Sequence, residues 1–130
     1  MSDAIELTIY PDQCDSFGHL NQASYLALFE RARWEVLRHS SGMDVFTRNG
    51  VWPAVRKAIV EYHAGVWPGD ALRFDLEITH RGRTSFTLKQ HAYRKSDGAK
   101  AATLECVYVC INQRQEPVPV PEEVLTGLAG

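Results

Sequence analysis

The sequence lacks an excess of charge, a long apolar run and a cysteine framework, and each absence removes a class of function. Fourteen basic residues against sixteen acidic ones leave a formal net charge of −2. That excludes a chain-wide nucleic-acid footprint, although a local basic loop can still hold a phosphate. No apolar stretch approaches the length that spans a bilayer. The opening MSDAIELTIY lacks the basic-then-apolar order of a secretory signal, so a cytoplasmic protein is expected. The three cysteines, Cys14, Cys106 and Cys110, are odd in number and not spaced as a disulfide framework, which points to reduced thiols. On a strand, Cys106 and Cys110 would share one face about 13 Å apart, too far to chelate one ion. Five histidines show no HxxxH or comparable ligand spacing, so no metal site is expected. A GxSxG elbow, a P-loop, a dinucleotide fingerprint and internal repeats are all missing.

What remains is enough for one domain. A chain of 130 residues with 45% hydrophobic composition can bury a sizeable core. Residues 4–10, AIELTIY, read as a first strand ending at Pro11. A polar loop over 12–20 follows, then Asn21 as N-cap of a helix running to about Ser40, with Gly42 as its stop signal. Tyr25, Phe29, Ala32 and Val36 share one helix face, widened by Leu26, Leu28 and Leu37. Charges gather opposite, where Arg31 and Glu35 are spaced to pair. Strands are expected over 55–66, 71–79, 84–94 and 100–112, with turns at Trp67-Pro68-Gly69-Asp70, Arg81-Gly82-Arg83 and Ser96-Asp97-Gly98. A short helix follows Pro121.

One wide-striped helix and a sheet with one apolar face make a two-layer α+β domain in which the sheet wraps the helix. Val107, Val109 and Ile111 fall on the other face and are apolar too. With edge strands that need cover, this predicts a homo-oligomer.

The stretch CDSFGHLNQASYLALFERAR, residues 14–33, sets an acid, a glycine, a histidine and an asparagine at the mouth of the buried helix. A helix N-terminus carries unpaired N–H groups and about half a positive charge. The backbone N–H of Gln22 or Ala23 is therefore placed to hold an oxygen that turns negative on a carbonyl. Asp15, a few residues upstream, can attack that carbonyl or activate a water. Gly18 allows close backbone approach of a substrate. His19 can bond Asp15, orient a water or move a proton. An acid beside a preformed oxyanion site is the equipment of acyl-transfer hydrolysis. The same residue types also serve as caps and turn formers, and the residues alone leave both readings open.

The stretch YPDQCDSFGHLNQASYLALFERAR, Tyr10 to Arg33, resembles the signature of hotdog-fold acyl-CoA thioesterases of the 4-hydroxybenzoyl-CoA thioesterase-like family. Asp15, Gly18-His19, Asn21, Tyr25, Glu30 and Ala32-Arg33 carry the match. The similarity continues through VWPGDALRFDLEI (66–78), HRGRTSFTL (80–88) and PVPVPEEV (117–124), and so covers nearly the whole chain. It implies a hotdog fold, one long helix wrapped by a five-stranded antiparallel sheet, paired into dimers that often form tetramers. It also implies that Asp15 is general base or nucleophile, that the thioester carbonyl is polarised by the backbone N–H near Gln22, and that the site lies between two subunits. His19 is given a supporting role. Many relatives carry a second asparagine where Gln22 stands. The substrate would be an acyl-CoA, with no separate cofactor; a coenzyme A thiolate leaves readily, so no strong general acid or metal is required.

Other residues carry two readings each. Glu30 is either a second carboxylate or the partner of Arg33 in an ion pair. Tyr25, counted with Gly18 and Asn21 as substrate-binding, either fills the core or reaches the pocket. Arg81 and Arg83 either grip coenzyme A phosphates or form a solvated turn. Trp34, Trp52, Trp67 and Phe46 either line an acyl pocket or pack. Two functions compete with hydrolysis: a hydratase or dehydratase acting on an acyl thioester, whose NPIH-like signature is missing, and a non-hydrolytic acyl-CoA-binding protein on the same fold. Asp15 discriminates, because a binder has no need of a carboxylate there.

Overall fold

The computed structural model describes residues 5–129. Strand β1, Ile5–Thr8, is shorter than the expected 4–10, and residue 4 lies outside the described residues. A 3-10 turn over Pro11–Gln13 starts the loop that leads to α1, Gln22–Arg38. Asn21 caps α1 as expected: its side-chain oxygen accepts from the Ala23 N–H at 2.8 Å. At the other end Gly42, with φ of +99°, turns the chain back so that its N–H reaches the Leu37 carbonyl at 2.7 Å. That conformation suits a residue without Cβ.

Four strands follow a single-turn helix, α2 (Val45–Arg48), that was not expected: β2 (Trp52–Tyr62), β3 (Ala71–Arg81), β4 (Ser85–Arg94) and β5 (Lys100–Ile111). Helix α3, Glu122–Ala129, closes the chain behind Pro121. All pairings are antiparallel, in the order β1-β3-β4-β5-β2. Thus β2 does not neighbour β3, which follows it; the 63–70 connection crosses the end of the sheet, and β2 becomes an edge. That edge position tolerates Pro53, which has no N–H to give to a ladder. It explains why β2 starts three residues before the expected 55; the strand stops at Tyr62 rather than 66 because the His63 and Ala64 N–H groups both turn to the Ala101 carbonyl.

The sheet wraps α1. Tyr25, Leu28, Phe29, Ala32, Val36 and Leu37 are buried against Leu72, Phe74, Phe86, Leu88 and Leu104 of the inner sheet face. Phe29 meets Phe74 edge-to-face at 5.4 Å. Loss of such a buried aromatic costs about 3–5 kcal/mol. Leu26, expected to flank the buried stripe, is instead 43% exposed. Arg31 and Glu35 do not pair: Glu35 bonds Arg38 at 2.8 Å, one turn nearer the helix C-terminus, where a cation is favoured. Among the described residues no helix is long and apolar enough to cross a membrane.

Candidate active site

The loop before α1 is a small closed hairpin. Cys14 and Leu20 form an antiparallel bridge, and the Asp15 N–H donates to the His19 carbonyl at 2.9 Å. Two further bonds dock it: Asn21 N–H to Gln13 carbonyl at 2.9 Å, and Leu20 N–H to Val66 carbonyl at 2.7 Å. Asp15 therefore sits one residue from a base that is tied directly to the start of α1. Its Oδ1 accepts from the Phe17 N–H at 2.9 Å and the His19 N–H at 3.3 Å. That turn fixes one carboxylate oxygen, while Oδ2 has no partner among the described residues and the side chain is exposed. Gly18 adopts φ of +85° with nothing within 4 Å of an added Cβ, so the turn itself demands the glycine.

At the helix mouth the two amides differ. Asn21 occupies the Ala23 N–H, which removes that amide from the oxyanion role; the Gln22 N–H has no acceptor among the described residues. His19 meets Asp15 through its backbone N–H, and its ring packs edge-on against Trp67 at 5.4 Å. Trp67 in turn lies under the Arg94 guanidinium, which donates to the Gly65 carbonyl at 2.7 Å. Tyr25 is buried and donates its hydroxyl to the Ala64 carbonyl at 3.2 Å. Burial, then the neighbouring Tyr62, pushes its hydroxyl up to about 12, so it stays a neutral phenol that pins the 64–66 segment. Tyr62, from the far edge strand, meets Tyr25 edge-to-face and bonds the Gln22 carbonyl at 3.2 Å. Sequence reasoning missed Tyr62 and Arg94, because no local signal tells that β2 and the end of β4 converge on this loop.

Not every expected residue gathers here. Arg81 ends β3 and Arg83 sits in the following turn, both exposed, at the end of the sheet where Cys110 bonds the Thr84 carbonyl. The Asp15 loop lies at the other end, near Ala101, which is bonded to His63 and Ala64. Nine strand residues separate those ends, about 30 Å, so one chain does not bring these arginines to its own Asp15. The expected Glu30–Arg33 ion pair is also not formed. Arg33 instead donates to Gln90 at 2.9 Å and lies over the Tyr108 ring, and the buried Gln90 donates to the Phe29 carbonyl at 3.0 Å. A charge-assisted bond to a buried amide wins over an exposed pair. Beside this cluster a cavity of about 180 Å³ opens between α1 and the sheet, with Trp34 and Phe46 among its walls. Trp52 and Trp67 do not reach it.

A helix N-terminus with an open amide, next to a carboxylate on a fixed turn, is placed on a helix wrapped by five antiparallel strands. Residues 9–128 match the family model described as thioesterase-like superfamily. The chain belongs to that superfamily. The acyl-CoA thioester hydrolase YbgC of Escherichia coli O157:H7 is 30% identical over 119 residues, covering 90% of this chain and 88% of that protein. The long-chain acyl-CoA thioesterase FadM of Escherichia coli K12 is 24% identical over 102 residues, 78% of this chain and 77% of that one. The crystal structure of YbaW, a probable thioesterase from Escherichia coli, superposes with a TM-score of 0.86 at 21% identity over 98% of both chains. The fold is thus the hotdog fold of these thioesterases, as the resemblance in the first motif implied, and the homologues are acyl-CoA thioester hydrolases.

Proposed function

We propose that this thioesterase-superfamily chain hydrolyses acyl-CoA thioesters, with Asp15 as general base or nucleophile and the Gln22 N–H as oxyanion donor. The observation that carries the reading is the division of labour at the helix mouth: among the described residues Asn21 caps Ala23 and leaves Gln22 open, while Asp15 Oδ2 has no partner on a turn tied to the same point. In the general-base route Asp15 takes a proton from water as the water oxygen adds to the carbonyl carbon. The oxyanion forms against the helix N-terminus and collapses, the C–S bond breaks, and the thiolate leaves to be protonated. In the nucleophilic route Asp15 itself adds, the thiolate leaves, and water opens the mixed anhydride. His19, braced on Trp67, supports the loop and can orient the water.

The working unit is a dimer through β2. This edge carries Val55 at 59%, Ile59 at 44% and Tyr62 at 45% exposure. A long apolar edge of this kind calls for a partner strand. Antiparallel pairing of two copies sets the Tyr62 end of one, hence its Asp15 loop, beside the Pro53–Val55 end of the other. The Arg81 and Arg83 turn of the second copy lies at that same end, which places it to hold coenzyme A phosphates. Val107, Val109 and Ile111 on the outer face support a further pairing into tetramers, and free thiols suit a reducing cytoplasm.

Thiol release from acyl-CoA esters by the wild-type protein tests this reading. Turnover is the expected result; tight binding of intact esters without release of coenzyme A overturns it in favour of a binding protein.

A further inference from the structure

The cavity between α1 and the sheet is left unused by the chemistry at the helix mouth. Its lining has a direction. Glu30 and Val55 are exposed and Arg33 is half-buried, whereas Leu37, Phe46 and Leu128 are buried. The mouth is therefore polar and opens beside β2, and the floor is apolar and formed where α1, α2 and α3 meet. Ring packing stiffens the walls: Phe86 stacks on Tyr108 at 5.1 Å, and Trp34 meets Phe46 edge-on at 6.4 Å. A sealed apolar cavity of about 150 Å³ accommodates benzene; at about 180 Å³ the present one, polar at its open mouth and apolar at its floor, has room for roughly six to eight carbon atoms.

Val55 joins this mouth to the edge strand that two copies would share. Antiparallel pairing brings the Asp15 loop of one copy beside the cavity mouth of the other. A thioester held by its carbonyl at Gln22 then has its coenzyme A in solvent and its apolar tail facing that opening.

We propose that the cavity of one copy receives the acyl tail of the thioester bound at Asp15 of the other, that it takes acyl groups of up to about eight carbons, and that Phe46 and Leu128 at its floor set this limit. The inference rests on the hydrolase reading and on the pairing through β2. Neither floor residue lies near the reacting atoms, so each acts on chain length alone. A Leu128→Ala change adds room for two or three carbons at the closed end.

The experiment measures kcat/KM for butanoyl-, hexanoyl-, octanoyl-, decanoyl-, dodecanoyl- and hexadecanoyl-CoA by thiol release, on the wild type, Leu128→Ala and the milder Phe46→Leu. Melting curves first establish that each variant is folded. In the wild type the dodecanoyl ester should fall about tenfold or more below the hexanoyl ester. Either variant should raise the decanoyl-to-hexanoyl ratio of kcat/KM about fivefold. Equal use of hexanoyl and hexadecanoyl esters by the wild type, or an unmoved ratio in both folded variants, overturns the inference while hydrolysis itself stands. Calorimetry with uncleavable S-hexyl- and S-dodecyl-CoA reads the pocket without the chemistry. A hexyl preference that Leu128→Ala weakens, in a protein that cleaves no ester, retains the pocket and overturns the hydrolase reading.

Discussion

Asp15 Oδ1 is held by two backbone N–H groups, and an asparagine in its place keeps an oxygen at that position while removing the charge. The turn and the chemistry at this residue are therefore separable. Asn21, expected to touch substrate, also caps α1: replacing it by alanine frees the Ala23 amide and should cost about 1 kcal/mol, read as a lowered midpoint in urea with an unchanged slope. Thiol chemistry gives a second check at this scale. Cys106 and Cys110 are buried, and burial pushes the Cys110 thiol up to about 11, whereas Cys14 is half-exposed. Ellman's reagent should titrate no more than one thiol in the native protein and all three in denaturant. The residues at the helix mouth were legible because capping, turn formation and an acid are local signals. Which of the Gln22 and Ala23 amides stays open was not legible from the residues alone, since it depends on where the Asn21 side chain turns.

Among the elements, α3 and the clamp at the end of β4 make the sharpest predictions. Ser40 donates to the Gly127 carbonyl at 2.8 Å, and a Cβ on Gly127 would collide with the Ser41 side chain. Gly127→Ala must displace α3 or the Ser40–Ser41 turn that follows α1 and should lower stability by about 1–3 kcal/mol, seen as a drop in Tm. Arg94 clamps Gly65 and Trp67 and is itself held by Asp97. The bond from Arg94, helped by the Ala99 N–H, lowers the Asp97 carboxyl from 3.8 to about 2. A carboxyl lowered on folding stabilises above its ordinary value and loses that support as pH falls through the folded value. The clamp should thus be intact at neutral pH and loosen between pH 3.8 and about 2, followed by Trp67 fluorescence. In Asp97→Asn that step should vanish. Strand β3 was legible from its alternation, and β4 and β5 from the turn residues that bound them. Strand β2 was legible only roughly, because an edge strand with an internal proline and no buried face shows no clean alternation.

For the whole molecule the determining feature is the β2 edge. Its place at the margin of the sheet follows from non-local pairing with β5, which no short window of sequence reveals. The apolar outer positions of β5 raised the expectation of assembly from the sequence, but the exposed apolar side chains of the β2 edge, and the cavity that opens beside it, emerge only from the folded sheet. Light scattering should give a mass of at least two chains. Ile59→Lys, which blunts the edge with a charge, should shift that mass toward one chain and lower turnover together.

The most direct measurement compares turnover of wild type and Asp15→Asn on one acyl-CoA ester that the wild type cleaves, after circular dichroism has established that both are folded. A loss of about two orders of magnitude or more in kcat, with little change in KM, is the predicted result for a missing base or nucleophile. A folded Asp15→Asn protein that turns over at the wild-type rate would contradict the assignment of the chemistry to this carboxylate.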